Sequence, residues 1–412
     1  MSIDQLTERQ RELCARLEPL VPRFAERAEA HDRDGTFPHE NFEALRQLGY
    51  LAAAVPREHG GGGYGLADIT RAQVLIARGD ASTALSVGMH LMTCGTEAER
   101  KLWPEAARAR IFGDVVARGA LINQISAEPA LGSPKGGGLP QTRITRERRD
   151  GRDVLRVDGH KTYCTLAPAL DHLVVYGHFV DAAGAATEAT DAEPLVARVA
   201  VPGDAPGLRI EETWDALGMR ATASHDMRFD GVVVDADALL TVGALSAPEA
   251  DTPMAWFPLL VAAASLGIAE SAQHEALHFA RTRRPTGYPK PIGALPAVRE
   301  RLARAELELR AARQLLFATA SAWDAAGVGA RVAMKSDLAA AKLVATNAAV
   351  SVVDAALRVV GGAALRRGTK LERAYRDVRS GLVNPPIDAR GLETVAAALL
   401  DADRAGYIID CE

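Results

Sequence analysis

The 412-residue chain is 48% hydrophobic and 25% charged, with only 5% aromatic residues and a formal net charge of −5. This apolar fraction excludes an intrinsically disordered chain, and the mildly acidic balance argues against a nucleic-acid partner held by charge. At roughly 100 to 200 residues per domain, two or three sub-domains are expected. Cys14, Cys94, Cys164 and Cys411 are scattered without a close pair, which points away from a disulfide scaffold or a cysteine-rich zinc site. The longest apolar stretch, Phe257 to Ala269, is shorter than the about 20 residues that cross a bilayer, and the N-terminus lacks the apolar core of a signal peptide. A cytoplasmic protein with no membrane partner is the expectation.

Up to about residue 122 the spacing predicts helices. Leu6, Leu13, Leu17 and Val21 fall on one helical face, as do Phe42, Leu45 and Leu48. Pro56 and the glycines 60 to 63 interrupt the pattern, and a new helix begins at Leu66 to Ile69. From 123 to 236 the period changes. Val154 to Val157, Leu173 to Val180, Leu195 to Val201 and Met227 to Val234 are Val-rich runs bounded by Gly, Pro and Asp, which predicts a mostly antiparallel β domain. The stretch Ala182 to Pro194 reads as a mobile surface hairpin. From 237 to 412 helices return, marked by Val298, Leu302, Ala305, Leu309, Ala312 and Leu316, then by Met334, Leu338, Ala341, Ala345, Ala348, Val352, Ala355 and Val359. Small residues at such spacing predict close-packed antiparallel helices. The expected class is α+β: an N-terminal helical domain (1–122), a central antiparallel β domain (123–236) and a C-terminal four-helix-bundle domain (237–412).

Two motifs suggest other chemistry. Gly60 to Gly65 matches the dinucleotide pattern G-x-G-x-x-G, but its flanks are helical and no β/α alternation follows, so a turn between helices is expected. His274-Glu275-Ala276-Leu277-His278 is a literal H-E-x-x-H, which could hold zinc with a third ligand such as Glu300 or Glu306 and act as a hydrolase. A solvated face at a basic helix end is the competing reading, and no metal is expected.

The remaining motifs, taken in order along almost the whole chain, resemble the acyl-CoA dehydrogenase superfamily. Val55 to Gly61 resembles its "PEEYGG" turn, Ser126 to Ser133 its "TEPxAGS" loop, Gly159 to Thr165 its "GxKxWIT" segment and Leu217 to Ser224 its "LGxRxSxT" segment. Arg283 to Gly287 takes the place of "RxxFG", and Val359 to Gly362 with Arg373 to Asp377 resembles "xxGGxG" and "RDA". The resemblance implies a flavin, FAD or alternatively FMN. It assigns Ser126, Ala127, Ser133, Tyr163, Thr165, Arg283, Gly361 and Gly362 to the cofactor, with Tyr163 covering one ring face and Thr165 donating to the ring edge. Ser133 and Arg283 would hold the pyrophosphate, Arg283 across a subunit boundary. His90, Arg220, Ser224, Trp256 and Phe257 are the substrate-side candidates. A homo-oligomer, tetramer or dimer, is expected.

Dehydrogenation in that family needs a carboxylate base, usually nine residues after the Arg of the "RD" pair, where this chain has Pro385; the alternative place, ten residues before Gly267, holds Phe257. Asp388 and Glu393 are the nearest acids, and their position suits a helix start or a surface. Members without the base resemble reduced-flavin monooxygenases such as dibenzothiophene monooxygenase, the nitrososynthases and indole hydroxylases. Oxygen-dependent oxidation through a flavin C4a-(hydro)peroxide, on an acyl thioester or aromatic substrate, is therefore expected, with His90, Thr165 and Asn384 as catalytic candidates and a flavin reductase or electron-transfer partner. The alternative is an acyl-CoA or acyl-carrier-protein dehydrogenase with an unconventional base.

Overall fold

A computed structural model describes residues 6–131, 138–181, 193–245 and 253–401. Ser133, Cys411 and most of the expected 182–194 hairpin lie outside the described residues. Six helices come first: α1 (Glu8–Leu17), α2 (Leu20–Asp34), α3 (His39–Gln47), α4 (Leu66–Gly79), α5 (Ala81–Arg100) and α6 (Glu105–Arg118). Eight strands follow: β1 (Ile122–Ile125), β2 (Arg143–Arg149), β3 (Arg152–Cys164), β4 (His172–Asp181), β5 (Leu195–Pro202), β6 (Leu208–Glu211), β7 (His225–Asp235) and β8 (Leu239–Ala244). The chain then returns to helix in α7 (Trp256–Thr282), α8 (Pro296–Ala325), α9 (Val328–Ala333), α10 (Lys335–Val360), α11 (Lys370–Asp377), α12 (Ser380–Val383) and α13 (Asp388–Leu400).

These elements form two compact units. A helical unit comprises Met1–Ala25, Leu66–Ala81 and Ala250–Glu412, and a sheet unit comprises Glu26–Gly65 and Ser82–Glu249. Two stretches of the expected N-terminal helical domain thus belong with the C-terminal helices.

In the helical unit α10 packs on α7 and α8, and α4 on α7. Small side chains make this possible. A Cβ on Gly267 would stand 2.4 Å from the Ala77 Cβ and 2.5 Å from the Val74 carbonyl oxygen, so α7 and α4 approach to near backbone contact. Ala262, Ala263, Ala269 and Ala276 on α7 are buried, as are Ala341, Ala345, Val352 and Val359 on α10. The stretch Lys335–Leu365, longer than the run considered from sequence, is long and apolar enough to cross a membrane by length and composition. One third of its most apolar window is buried within the bundle.

The sheet unit is built on the order β6-β7-β3-β2-β4-β5-β8, with β1 added beside β4. All pairings are antiparallel except β1 with β4 and β2 with β4. The sheet runs to Ala244, beyond the boundary expected at 236. Val157, Leu155, Val175, Val199 and Phe229 are buried in it, as period-2 alternation requires.

The glycine-rich segment resolves as a turn. The N–H groups of Gly61, Gly62 and Gly63 donate to the carbonyls of Pro56, Ala52 and Val55. A Cβ on Gly61 would lie 2.2 Å from the Val55 oxygen, so only glycine lets the chain cross itself there. With its amides spent internally and no strand before it, the segment is no phosphate cradle.

Candidate functional site

The end of β3 is irregular where the sequence motif is densest. Its ladder with β7 slips between the pairs Lys161–Met227 and Cys164–His225, a bulge that throws Thr162 and Tyr163 out of register and re-aims their side chains. Tyr163 has φ 56° and Leu166 φ 73°; in the facing turn before β7, Met219 has φ 54° and Ala223 φ 44°. Non-glycine residues in this region cost about 1 to 3 kcal/mol each and persist where surrounding contacts enforce them. Here the contacts are mutual: the Leu166 N–H donates to the Thr222 carbonyl (3.2 Å) and the Ala167 N–H to that of Ala223 (3.3 Å).

The clamped turns present a ring and a row of hydroxyls. The Tyr163 side chain is 69% exposed and meets Trp214 edge to face, with centroids 6.2 Å apart. The Trp214 indole is itself fixed by a hydrogen bond from Nε1 to the Met219 carbonyl (3.0 Å). Thr165 Oγ1 lies 2.9 Å from Ser224 Oγ, which lies 2.8 Å from Thr222 Oγ1. Asn123 Nδ2 donates to the Thr165 carbonyl (3.0 Å).

Ser126 and Ala127 follow β1. The Ala127 carbonyl accepts from the Thr162 N–H (3.0 Å), tying this loop to the bulge. Beneath it lies a buried ion pair, Lys161 Nζ to Glu128 Oε1 at 2.7 Å, and Lys161 also reaches the Ser126 carbonyl at 3.4 Å. Glu128 further accepts from the N–H groups of Gln141 (2.7 Å) and Thr142 (3.0 Å). Burial pushes the Glu128 carboxyl up, but the Lys161 ammonium and these amides outweigh it and hold the group below its ordinary range. The carboxylate is thus held ionised against the ammonium, while burial pulls the Lys161 ammonium below its ordinary range despite Glu128.

Two sequence expectations in this unit are corrected. His90 is fully buried; Nε2 donates to the Leu51 carbonyl (2.7 Å) and Nδ1 accepts from the Ile122 N–H (3.1 Å). Burial pulls its pKa down to about 4, so it is a neutral cross-link between main-chain segments, with no nitrogen left for substrate. Arg220 donates through Nε to the Asp32 carbonyl (2.7 Å) and through Nη1 to Asp215 (2.9 Å) and the Ala216 carbonyl (3.0 Å). It braces the strained turn rather than reaching out to substrate.

The candidates in the helical unit fall into three places. Trp256 and Phe257 open α7, where Phe257 is half-buried and Trp256 is buried, its Nε1 without a hydrogen-bond partner among the described residues. Trp256 is thus a core residue with an orphan donor. Arg283 is exposed at the end of α7. Gly361 and Gly362 are exposed at the end of α10; Gly361 adopts φ 70° and ψ −148°, a region essentially reserved for glycine, and a Cβ on either residue would meet nothing within 4 Å. Asn384 is half-buried and donates through Nδ2 to the Ser380 carbonyl (2.9 Å), a local tie. Asp388 sits in the first turn of α13 and accepts from Asn347 (3.1 Å), while Glu393 pairs with Arg390.

The nominated zinc ligands are occupied or exposed. His274 and His278 are exposed on α7, Glu306 is spent on Gln273 and Arg310, and Glu300 on Arg304. Among the described residues the three potential ligands that converge are His160, Glu211 and Asp226; there His160 pairs with Asp226 (2.7 Å) and Glu211 with Arg228 (3.1 Å).

Sequence reasoning missed Trp214, Thr222 and the Glu128–Lys161 pair. Thr222, Glu128 and Lys161 lie inside motifs already singled out, so their spacing was the available signal. Trp214 stands just outside one.

Comparison with known proteins agrees with this layout. Models of the acyl-CoA dehydrogenase N-terminal, middle and C-terminal domains match residues 7–110, 125–232 and 250–383. The chain is 38% identical to YdbM of Bacillus subtilis (strain 168), assigned provisionally as an acyl-CoA dehydrogenase, over 98% of this chain and 100% of that one. It is 32% identical to the L-evernosamine nitrososynthase of a Micromonospora species, over 97% and 92%. The structure of KijD3 in complex with FMN and dTDP-3-amino-2,3,6-trideoxy-4-keto-3-methyl-D-glucose superposes with a TM-score of 0.83 at 29% identity, covering 98% of this chain and 96% of that one.

Proposed function

From the premise that the chain belongs to the acyl-CoA dehydrogenase family, we propose that it is a flavin-dependent oxidoreductase that uses dioxygen to oxidise or hydroxylate a small-molecule substrate. The observation that carries the oxygen-using reading is the pair Phe257 and Pro385, two side chains unable to take a proton, at the places where the family keeps its carboxylate base. The carboxylates around the strained turns are already engaged: Glu128 by Lys161, Asp215 by Arg220 and Asp226 by His160. Hydroxyls and main-chain groups remain.

The residues present fit a flavin. An exposed ring held in a strained conformation and braced by Trp214 suits a flat apolar cofactor. In the sheet unit Tyr163 would cover the ring, and Thr165 and the main chain of Ser126 and Ala127 would meet its polar edge; Gly361 and Gly362 of the helical unit stay assigned to the cofactor by the family resemblance. Ser133 and Arg283 stay assigned to the phosphate portion. Bound there, a flavin supplies two-electron redox chemistry and, once reduced, reactivity towards dioxygen. The chain's own part is to seat the ring, hold the Ser126–Ala127 loop on the Lys161–Glu128 pair and present Thr165. The FMN and amino-keto sugar nucleotide of KijD3 support FMN beside FAD and an amino sugar beside acyl-thioester or aromatic substrates. A homo-oligomer, a separate flavin reductase and a cytoplasmic location belong to the same proposal.

A second reading, acyl-thioester dehydrogenation, is favoured by the full-length likeness to YdbM. Asp388, whose Oδ1 is buried without a hydrogen-bond partner among the described residues, is the acid of the helical unit it would draw on. Anaerobic mixing of flavin-loaded protein with a panel of acyl-CoAs separates the two. The oxygen-using enzyme keeps its oxidised flavin spectrum and, given NADH and a flavin reductase, consumes dioxygen when substrate is present; direct bleaching by an acyl-CoA overturns that reading in favour of the second. Protein that takes up neither FMN nor FAD overturns both.

A further inference from the structure

The end of the sheet formed by β6, β7 and β3 carries a group of side chains that the flavin reading leaves unused. Glu211 on β6 stands directly opposite Asp226 on β7, and two residues further along β7 Arg228 stands opposite His160 on β3. This register puts all four half-buried side chains on one face of the sheet. One nitrogen of His160 and one oxygen of each carboxylate lie within 4.8 Å of one another. Two carboxylates directly opposite in a ladder repel, so the pair needs positive charge shared between them. The chain relieves this in part. His160 Nε2 meets Asp226 Oδ2 at 2.7 Å, and Arg228 Nε donates to Glu211 Oε2 at 3.1 Å. Each carboxylate is thus engaged by a side chain through one oxygen, which leaves the lone pairs of the other.

We propose that His160, Asp226 and Glu211 bind a divalent first-row cation, zinc foremost, with water completing a tetrahedral set. An imidazole nitrogen and carboxylate oxygens are ligands that zinc takes, and three protein ligands beside one open position is an arrangement it adopts. Zinc bonds of about 2.0 to 2.2 Å keep tetrahedral ligand atoms about 3.3 Å apart. The 2.7 Å contact therefore opens slightly and the wider ones close, by side-chain rotation over an unchanged ladder. The cation takes the place of the proton between His160 and Asp226, so acid competes with it. Arg228 opposes it by charge, yet what it gives up is a part-exposed ion pair of small worth. None of the three ligands belongs to the H-E-x-x-H motif or to the cofactor and substrate candidates, so the site is independent of the flavin reading. Glu211 is the last residue of edge strand β6, three before Trp214. A cation spanning β6, β7 and β3 pins the point from which the turn carrying Trp214 departs.

Equilibrium dialysis of the full chain against zinc tests the site. The exposed His274 and His278 are first replaced by glutamine (His274→Gln, His278→Gln), because two histidines one helical turn apart bind zinc themselves. In that background one zinc per chain should bind at micromolar free zinc, and His160→Gln or Asp226→Asn should weaken it by about tenfold or more. Zinc should also raise the thermal unfolding midpoint of the background chain and leave that of His160→Gln in place. Arg228→Gln keeps the test clear of folding defects: without the opposing cation, binding should tighten severalfold, a gain that a damaged fold does not produce. No zinc uptake in the background chain, uptake that His160→Gln and Asp226→Asn leave unchanged, or looser binding in Arg228→Gln overturns the proposal.

Discussion

Strand β3 and helix α10 each bury one face, yet they terminate in opposite ways. At the end of α10 the chain turns through φ 70°, ψ −148° on Gly361, which adopts that conformation freely. At the end of β3 a comparable positive φ falls on Tyr163, where glycine would be less strained. Tolerating the strain there means that the side chain is wanted: the ring is exposed and braced, and the turn carrying it is tied to a second strained turn. Beneath the β3 end lies a buried ion pair, whereas the α10 helix is packed with alanine and valine. A precise but costly main-chain shape thus goes with a polar, over-determined surrounding, and a relaxed shape with a mainly apolar helix that still buries Lys342 and Thr346.

The strongest way to break this contrast is to remove the support under β3. Lys161→Met strands the Glu128 carboxylate in the interior and should cost about 3 to 5 kcal/mol, read by urea unfolding. Next comes the acid limb of the sheet unit's stability. An unfolded histidine titrates near 6.5 and the folded His90 near 4, so between those values the unfolded chain holds the extra proton. Stability contributed by His90 is therefore present above about pH 6.5 and lost as pH falls towards 4, by roughly 3 kcal/mol. Urea midpoints measured across that range should show a shallower acid slope in His90→Gln, and an unaltered slope would refute the neutral cross-link.

The two chain ends themselves give the smaller effects, of opposite sign. Gly361→Ala meets open space, so any loss is conformational, and about 1 to 3 kcal/mol is expected in thermal unfolding. Tyr163→Gly should instead raise stability by about 1 kcal/mol through relief of the positive φ, and weaken flavin binding measured by fluorescence titration. A Tyr163→Gly variant that is less stable than wild type would show that the ring serves the fold.

Much of the fold was legible because burial imposes period. The α8 and α10 stripes and the strands β3, β4, β5 and β7 follow patterns that one buried face dictates. Strand β2 escaped notice because its sequence, Arg-Ile-Thr-Arg-Glu-Arg-Arg, buries Ile144 alone and owes its place to pairing with β3 and β4. The short strands β1, β6 and β8 carry too few residues to declare a period. For the site, the motifs named Thr165 and Ser224, which the fold brings into contact, but they could not foretell that His90 is spent on the Leu51 carbonyl and the Ile122 N–H, or Arg220 on two carbonyls and Asp215.

By itself the sequence determined the family, the alternation of helical and strand-rich regions, and the loss of a carboxylate at positions 257 and 385, since these depend on residue identity and local spacing. Only the tertiary structure decided which groups are already spent. Whether a histidine is a base or a cross-link, and whether an arginine reaches outward or braces a turn, depends on partners remote in sequence: Leu51 and Ile122 for His90, Asp32 for Arg220. Each side chain has few hydrogen bonds to give, and folding determines which groups take them.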